Sequence, residues 1–173
     1  MISQSYIDQN KRLHNTNEHY GAGGARWADK VYELCSVLKT RDVLDYGCGK
    51  GTLQARLPFI RGYDPAVPGH DSVPHPADIV VCTDVLEHIE PEYLDQVLGD
   101  LQRCTKRTLF ASIHTAPAIK TLPDGRNAHL IQQGQSWWIP KIMARFHIRT
   151  FIDYGHEITI LADAIPAASE RAA

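Results

Sequence analysis

Three aspartates each close an apolar run. Asp45 follows Val43-Leu44, Asp64 follows Ile60–Tyr63, and Asp84 follows Ile79–Thr83. Directly after Asp45 come Gly47, Gly49 and Gly51. That order reads as a buried strand turning tightly into a helix N-terminus. Such a turn exposes backbone N–H groups, and the missing Cβ atoms let a nucleotide-type ligand come close. Asp64, at the end of the next strand, is placed to accept both hydroxyls of a ribose. Two other nucleotide signatures fail on spacing. A dinucleotide fingerprint needs a glycine where Thr52 stands, and a phosphate-binding P-loop needs its lysine after the last glycine, whereas Lys50 precedes Gly51.

Histidine supplies the other chemistry, because imidazole takes or gives a proton near neutrality. His88 lies just beyond Asp84, His114 ends a further apolar run, and His129 sits near Arg126 and Asn127. His129 is the first candidate for substrate contact. His88 fits a brace for its loop equally well, and His114 fits a structural role slightly better. The histidines do not share metal-ligand spacing on one element, so no metal is expected. Cys35, Cys48, Cys82 and Cys104 form no C-x-x-C pair and read as buried free thiols. Adjacent helical residues point about 100° apart, so one of Trp137 and Trp138 is expected in the core and the other free for a planar ligand.

Several elements must position these groups. Trp27, Val31, Leu34 and Leu38 make one helical stripe. Leu53 and Leu57 mark a short helix that Pro58 stops. Pro65, Pro68, Pro74 and Pro76 leave 65–77 as an extended loop. Asp78–Asp84 has the continuous apolar look of a strand buried on both faces. Pro91 opens a helix carrying Leu94, Val97, Leu98 and Leu101. Thr108–His114 reads as a strand, and Ala116–Gln135 is irregular around a Pro123-Asp124-Gly125 turn. Ser136–Arg145 reads as helix despite Pro140. His147–Tyr154 and His156–Asp163 read as an antiparallel hairpin about Gly155. Alternating strands and helices predict a doubly wound, mostly parallel α/β sheet. Ligands bind outside the carboxyl ends of such strands, where Asp45, Asp64, Asp84 and His114 fall. Residues 1–20 are polar and read as an arm or lid, 21–165 as one domain, and 166–173 as a frayed tail.

Composition sets limits. The chain has 173 residues, 43% hydrophobic and 22% charged, with a formal charge of −2. Its size suits a single domain with a real core. The absence of basic excess argues against general nucleic-acid binding. No apolar run is long enough for a membrane helix. The polar N-terminus and the free thiols are those expected of a cytoplasmic protein.

Val43–Gly51 resembles motif I of the class I S-adenosylmethionine-dependent methyltransferases. Tyr63-Asp64 is similar to that family's ribose-binding acidic position, and Asp84-Val85-Leu86-Glu87-His88-Ile89 to its D-V-L-E-H-I segment. Asn127–Trp138 and Met143–Phe146 resemble its late histidine and final helix. The resemblance covers roughly residues 20–165 and implies a Rossmann-like fold, S-adenosylmethionine as cofactor, and methyl transfer to a small-molecule or nucleotide-like acceptor. It implies that Asp45 and the backbone of Gly47, Cys48, Gly49 and Gly51 cradle the methionine end. Asp64 would hold the ribose, Asp84, Val85 and Leu86 would line the sulfonium side, and Tyr20 would close over the site. His129, His88 and His114 are the candidate catalytic groups. The loop at 65–77 stands where the family has a helix and its edge strand 3, so adenine would meet His70, Asp71 or a backbone group. The substrate site would come from residues 1–20 and Thr115–Trp138. Two alternatives are a catalytically inactive S-adenosylmethionine-binding or scaffold protein of this fold, and a nicotinamide-dependent oxidoreductase, which the Thr52 position disfavours.

Overall fold

The computed structural model describes residues 2–18 and 20–165, so the expected tail at 166–173 lies outside them. Six strands form one sheet among the described residues: β1 (Val43–Tyr46), β2 (Arg61–Tyr63), β3 (Ala77–Thr83), β4 (Thr105–His114), β5 (Phe146–Asp153) and β6 (Glu157–Ala164). Their order is β2-β1-β3-β4-β6-β5. The first four run parallel. β6 is antiparallel to β4 and pairs antiparallel with β5. This is the expected doubly wound sheet with a C-terminal hairpin. β2 and β5 are the two edges, and the proline-containing segment after β2 holds no strand. Arg61 donates to the carbonyls of His75 and Pro76, and Arg103 to that of Pro74, which fastens that segment to its surroundings.

The two-residue period of a strand sends alternate side chains to opposite layers. Leu44, Val80, Cys82, Leu109, Ala111 and Ile113 face one cluster with α4 (Leu94–Cys104) and α5 (Gln135–Met143). Val43, Ile79, Val81 and Phe110 face the other with α2 (Ala28–Leu38) and α3 (Thr52–Arg56). A 3-10 turn at Pro91–Tyr93 precedes α4, and β4 leaves α4 directly at Thr105, earlier than the expected Thr108. Thr105 Oγ1 donates to the Leu101 carbonyl, closing the helix as the strand begins.

Residues 1–20 hold a helix that polarity alone did not announce: α1, Gln4–Thr16. Ser3 caps it, accepting from Tyr6 N–H. Glu90, remote in sequence, accepts from both the N–H and the hydroxyl of Ser3. Tyr6 packs with Leu122 and Ala128, and Ile2 and Leu13 pack beside them.

Trp138 is the fully buried member of its pair. Trp137, the half-buried one, carries the Lys141 ammonium 4.3 Å from its ring centroid. Trp138→Ala is expected to cost about 3–5 kcal/mol of stability, measured by urea unfolding, because the α5 layer would keep a cavity of indole size.

Candidate active site

The glycine turn connects β1 to α3. Gly47, Gly49 and Gly51 take φ of 81°, 51° and 67°, the left-handed region that favours glycine. A Cβ at Gly47 would lie 2.4 Å from Val85 Cγ2, and one at Gly49 would lie 2.5 Å from the Gly21 carbonyl oxygen. Part of the space left by the missing side chains is therefore filled by the protein itself. The Lys50 N–H also donates to the Gly21 carbonyl, so the turn seats the segment that follows α1. Asp64 accepts from Gly49 N–H at 3.0 Å through one oxygen and from Ala66 N–H at 2.8 Å through the other. A carboxylate offers about four lone-pair sites, so two remain. Asp45 lies buried beneath. Burial and the charge of Asp64 push its carboxyl up to about 7, although the Gln54 amide works the other way.

At the end of β3, Asp84 is held at φ 59°. His88 Nε2 is 3.7 Å and His114 Nε2 is 3.6 Å from Asp84 Oδ1. Burial alone would raise the Asp84 pKa, but the adjacent His88, then His114 and His129, draw it well below the usual carboxylate range. The His88 and His129 rings meet edge to face at 4.8 Å, and those of His114 and His129 stack at 5.5 Å. His88 Nδ1 faces the Ala128 carbonyl at 2.8 Å and His129 Nδ1 the Ala116 carbonyl at 2.6 Å. A carbonyl only accepts, so both rings carry a proton on Nδ1. For His88, the neighbouring Asp84 and Glu87 outweigh burial and raise the pKa. Burial lowers that of His129, and the charges of His88 and His114 act in the same direction.

A cavity of about 470 Å³ joins these groups, within the ~300–1,000 Å³ usual for small-ligand sites. Gly47, Gly49, Asp64, Asp84, Val85, His88, His114 and His129 all line it. Tyr20 covers it, its hydroxyl donating to Asn10 Oδ1 at 2.5 Å. Asp45, Cys48, Gly51 and Leu86 do not line it: Asp45, Cys48 and Leu86 are buried, and Gly51 is half-buried. His70 and Asp71 are also outside it. Tyr46, Tyr63, Ala66, Ile89 and Val97 form an apolar stretch of wall instead.

The sequence profile of the methyltransferase domain family matches residues 18–156. The chain belongs to this family. With its Rossmann-like sheet it is a class I S-adenosylmethionine-dependent methyltransferase. Among curated proteins, none matches it in sequence. Among solved structures, it is similar to 1,6-didemethyltoxoflavin-N1-methyltransferase of Burkholderia thailandensis, at 13% identity and a TM-score of 0.70 over 94% of this chain and 89% of that one. It is similar to magnesium protoporphyrin IX methyltransferase of Synechocystis PCC 6803, at 19% and 0.56 over 94% and 95%. An rRNA methylase of Escherichia coli matches at 15% and 0.55 over 95% and 78%. At these identities the likeness is one of fold. No helix among the described residues is long and apolar enough to cross a membrane.

Sequence reasoning missed several wall residues of this methyltransferase: Tyr6, Asn10 and His14 from α1, and Lys120 from the segment after β4. Ser3 as a cap, with Ile2, Tyr6 and Leu13 near helical spacing, was the available signal for α1. Gly49→Ala is expected to destabilise the protein and loosen the Gly21 segment, read as faster limited proteolysis near residues 17–24. Gly51→Ala is the comparison. It has the same left-handed strain, about 1–2 kcal/mol, but the nearest atom to its Cβ is 3.4 Å away, so it should cost less and leave proteolysis unchanged.

Proposed function

We propose that this enzyme transfers a methyl group from S-adenosylmethionine to a small-molecule acceptor bound beside His129, His88 and His114. The observation that carries the reading is the sharing of one cavity by the glycine turn, Asp64 and the Asp84–histidine cluster. S-adenosylmethionine supplies an activated methyl on a cationic sulfur. The protein's part is then alignment of the acceptor and management of its proton.

The residues present fit that cofactor. Asp64 keeps lone pairs for the ribose hydroxyls. Buried Asp45, beside Asp64 and close to the backbone of Gly47, Cys48, Gly49 and Gly51, has its carboxyl pushed up to about 7, so a cationic ligand at the turn would favour its ionised form. Asp84 and Val85 face the same space, and Leu86 anchors their loop in the core. Tyr46 and Tyr63, whose rings lie 4.9 Å apart, offer an aromatic and apolar wall for adenine in place of the family's edge element. Tyr20 and α1 shield the site from water. His129, with Nδ1 committed to the Ala116 carbonyl, keeps its Nε2 lone pair for the cavity side. The acceptor space lies among His88, His114, His129 and residues 116–120.

Titration with S-adenosylhomocysteine against NAD tests the cofactor. Tight binding of NAD alone would sink the reading. Asp64→Ala is expected to weaken S-adenosylhomocysteine by about 2–3 kcal/mol in calorimetry, and unchanged affinity would refute the ribose role. Transfer of labelled methyl into small-molecule extract fractions tests turnover. Binding without transfer to any fraction would favour the inactive binding protein. His129→Ala should lower turnover by about 10²-fold or more, with S-adenosylhomocysteine affinity unchanged.

A further inference from the structure

Glu87 is the most anomalous group near the cavity. It is fully buried on the 3-10 turn Leu86–His88. One carboxylate oxygen accepts from His114 N–H at 2.6 Å, while the other, Oε2, has no partner. A buried oxygen left unpaired is costly and rare. Its surroundings hold what such an oxygen lacks. One ligand atom each from Asp84, Glu87, His88 and His129 lie within 4.8 Å of one another. Donors around an ion at about 2.1 Å are at most about 4.2 Å apart, so a small side-chain rotation closes the set.

The two histidines are oriented as metal ligands are. Each has Nδ1 fixed on a backbone carbonyl, Ala128 for His88 and Ala116 for His129, which leaves Nε2 to coordinate. Metal-binding histidines almost always carry such an outer hydrogen bond. A network held by protons alone explains the contact between Asp84 and His88, but it leaves Glu87 Oε2 unpaired.

We infer that Asp84, Glu87, His88 and His129 form a site for one divalent first-row metal ion, open toward the cavity. Two imidazoles with two carboxylates suit Mn²⁺, Fe²⁺ or Zn²⁺ better than an all-oxygen Mg²⁺ or Ca²⁺ cage. Spacing along one element hid the set, because β3's end, the following turn and the segment after β4 each contribute. Asp84, His88 and His129 line the cavity, so the remaining coordination positions face the acceptor space. There the ion would take an oxygen of the substrate and lower that oxygen's pKa. Binding of the ion stands by itself, and only this substrate role rests on the methyl-transfer reading.

The experiment uses the full chain, stripped with a chelator and titrated with MnCl₂, followed by electron paramagnetic resonance and calorimetry, with ZnCl₂ as second probe. One saturable equivalent is expected. Glu87→Gln and His129→Asn should each weaken it by about 100-fold or more, with S-adenosylhomocysteine affinity held within about threefold. If Glu87→Gln fails to fold, His129→Asn, at the cavity wall, decides. Absence of saturable binding of both ions to the wild type, or variants that bind like it, would overturn the site. S-adenosylhomocysteine binding is read separately, so failure of the cofactor reading and failure of the metal site give different results.

Discussion

A carboxyl group buried in the protein must find its partners there, and burial pushes that of Glu87 up to about 8; much of the cavity's construction follows from the partners this residue does find. Its side chain takes the N–H of His114 at the end of β4. Its backbone carbonyl takes the N–H of Ile131. The next residue, His88, holds the Ala128 carbonyl. One short turn thus fixes the strand ends to the segment that follows β4. That segment in turn supplies Leu122 and Ala128, against which Tyr6 of α1 packs. Glu90, just beyond the turn, accepts from Ser3 at the start of the same helix. The cover is assembled from the loop after β3.

The acidic groups of the cavity region occupy two electrostatic regimes. Around the glycine turn, Asp45 and Asp64 lie close together. Burial, reinforced by like charge, leaves Asp45 ready to hold its proton near neutrality. A cationic ligand would relieve that repulsion. Around Asp84 the balance reverses. Three imidazoles outweigh the cost of burial and keep the carboxylate ionised. One end of the site is therefore short of positive charge while the other is organised about a settled anion. That contrast suits a cofactor bound through its cationic portion and an acceptor handled by histidine.

The parts legible in the sequence were those written locally. Val43–Gly51 showed a strand, a turn and positive-φ glycines, because each depends on neighbours in the chain. The apolar run ending at Asp84 and the stripe of α4 were equally plain. Less legible was everything depending on a distant partner. Gly49 was expected to make room for a ligand, yet the Gly21 backbone also occupies that space. Residues 1–20 looked polar because their apolar side chains are few, and Glu90 completes the helix cap from far along the chain. Spacing on single elements could not gather Asp84, Glu87, His88 and His129, which meet only after the sheet forms and the segment beyond β4 folds back.

The missing edge strand is balanced by a different construction. An exposed edge is open to pairing with another chain, but β2 is only three residues long and leads into a segment with repeated prolines. That segment is attached to the sheet's helical layer through a continuous set of bonds. Tyr46 donates to Asp100 at 2.9 Å, Arg103 donates to the same carboxylate at 2.8 Å, and Arg103 also donates to the Pro74 carbonyl. Tyr46 is part of the cavity's apolar wall, and its ring meets that of Tyr63. The residues that secure the shortened edge thus also hold the aromatic wall in place. The shortened edge therefore leaves an apolar, aromatic stretch of cavity wall whose shape depends on the position of Tyr46 against Tyr63.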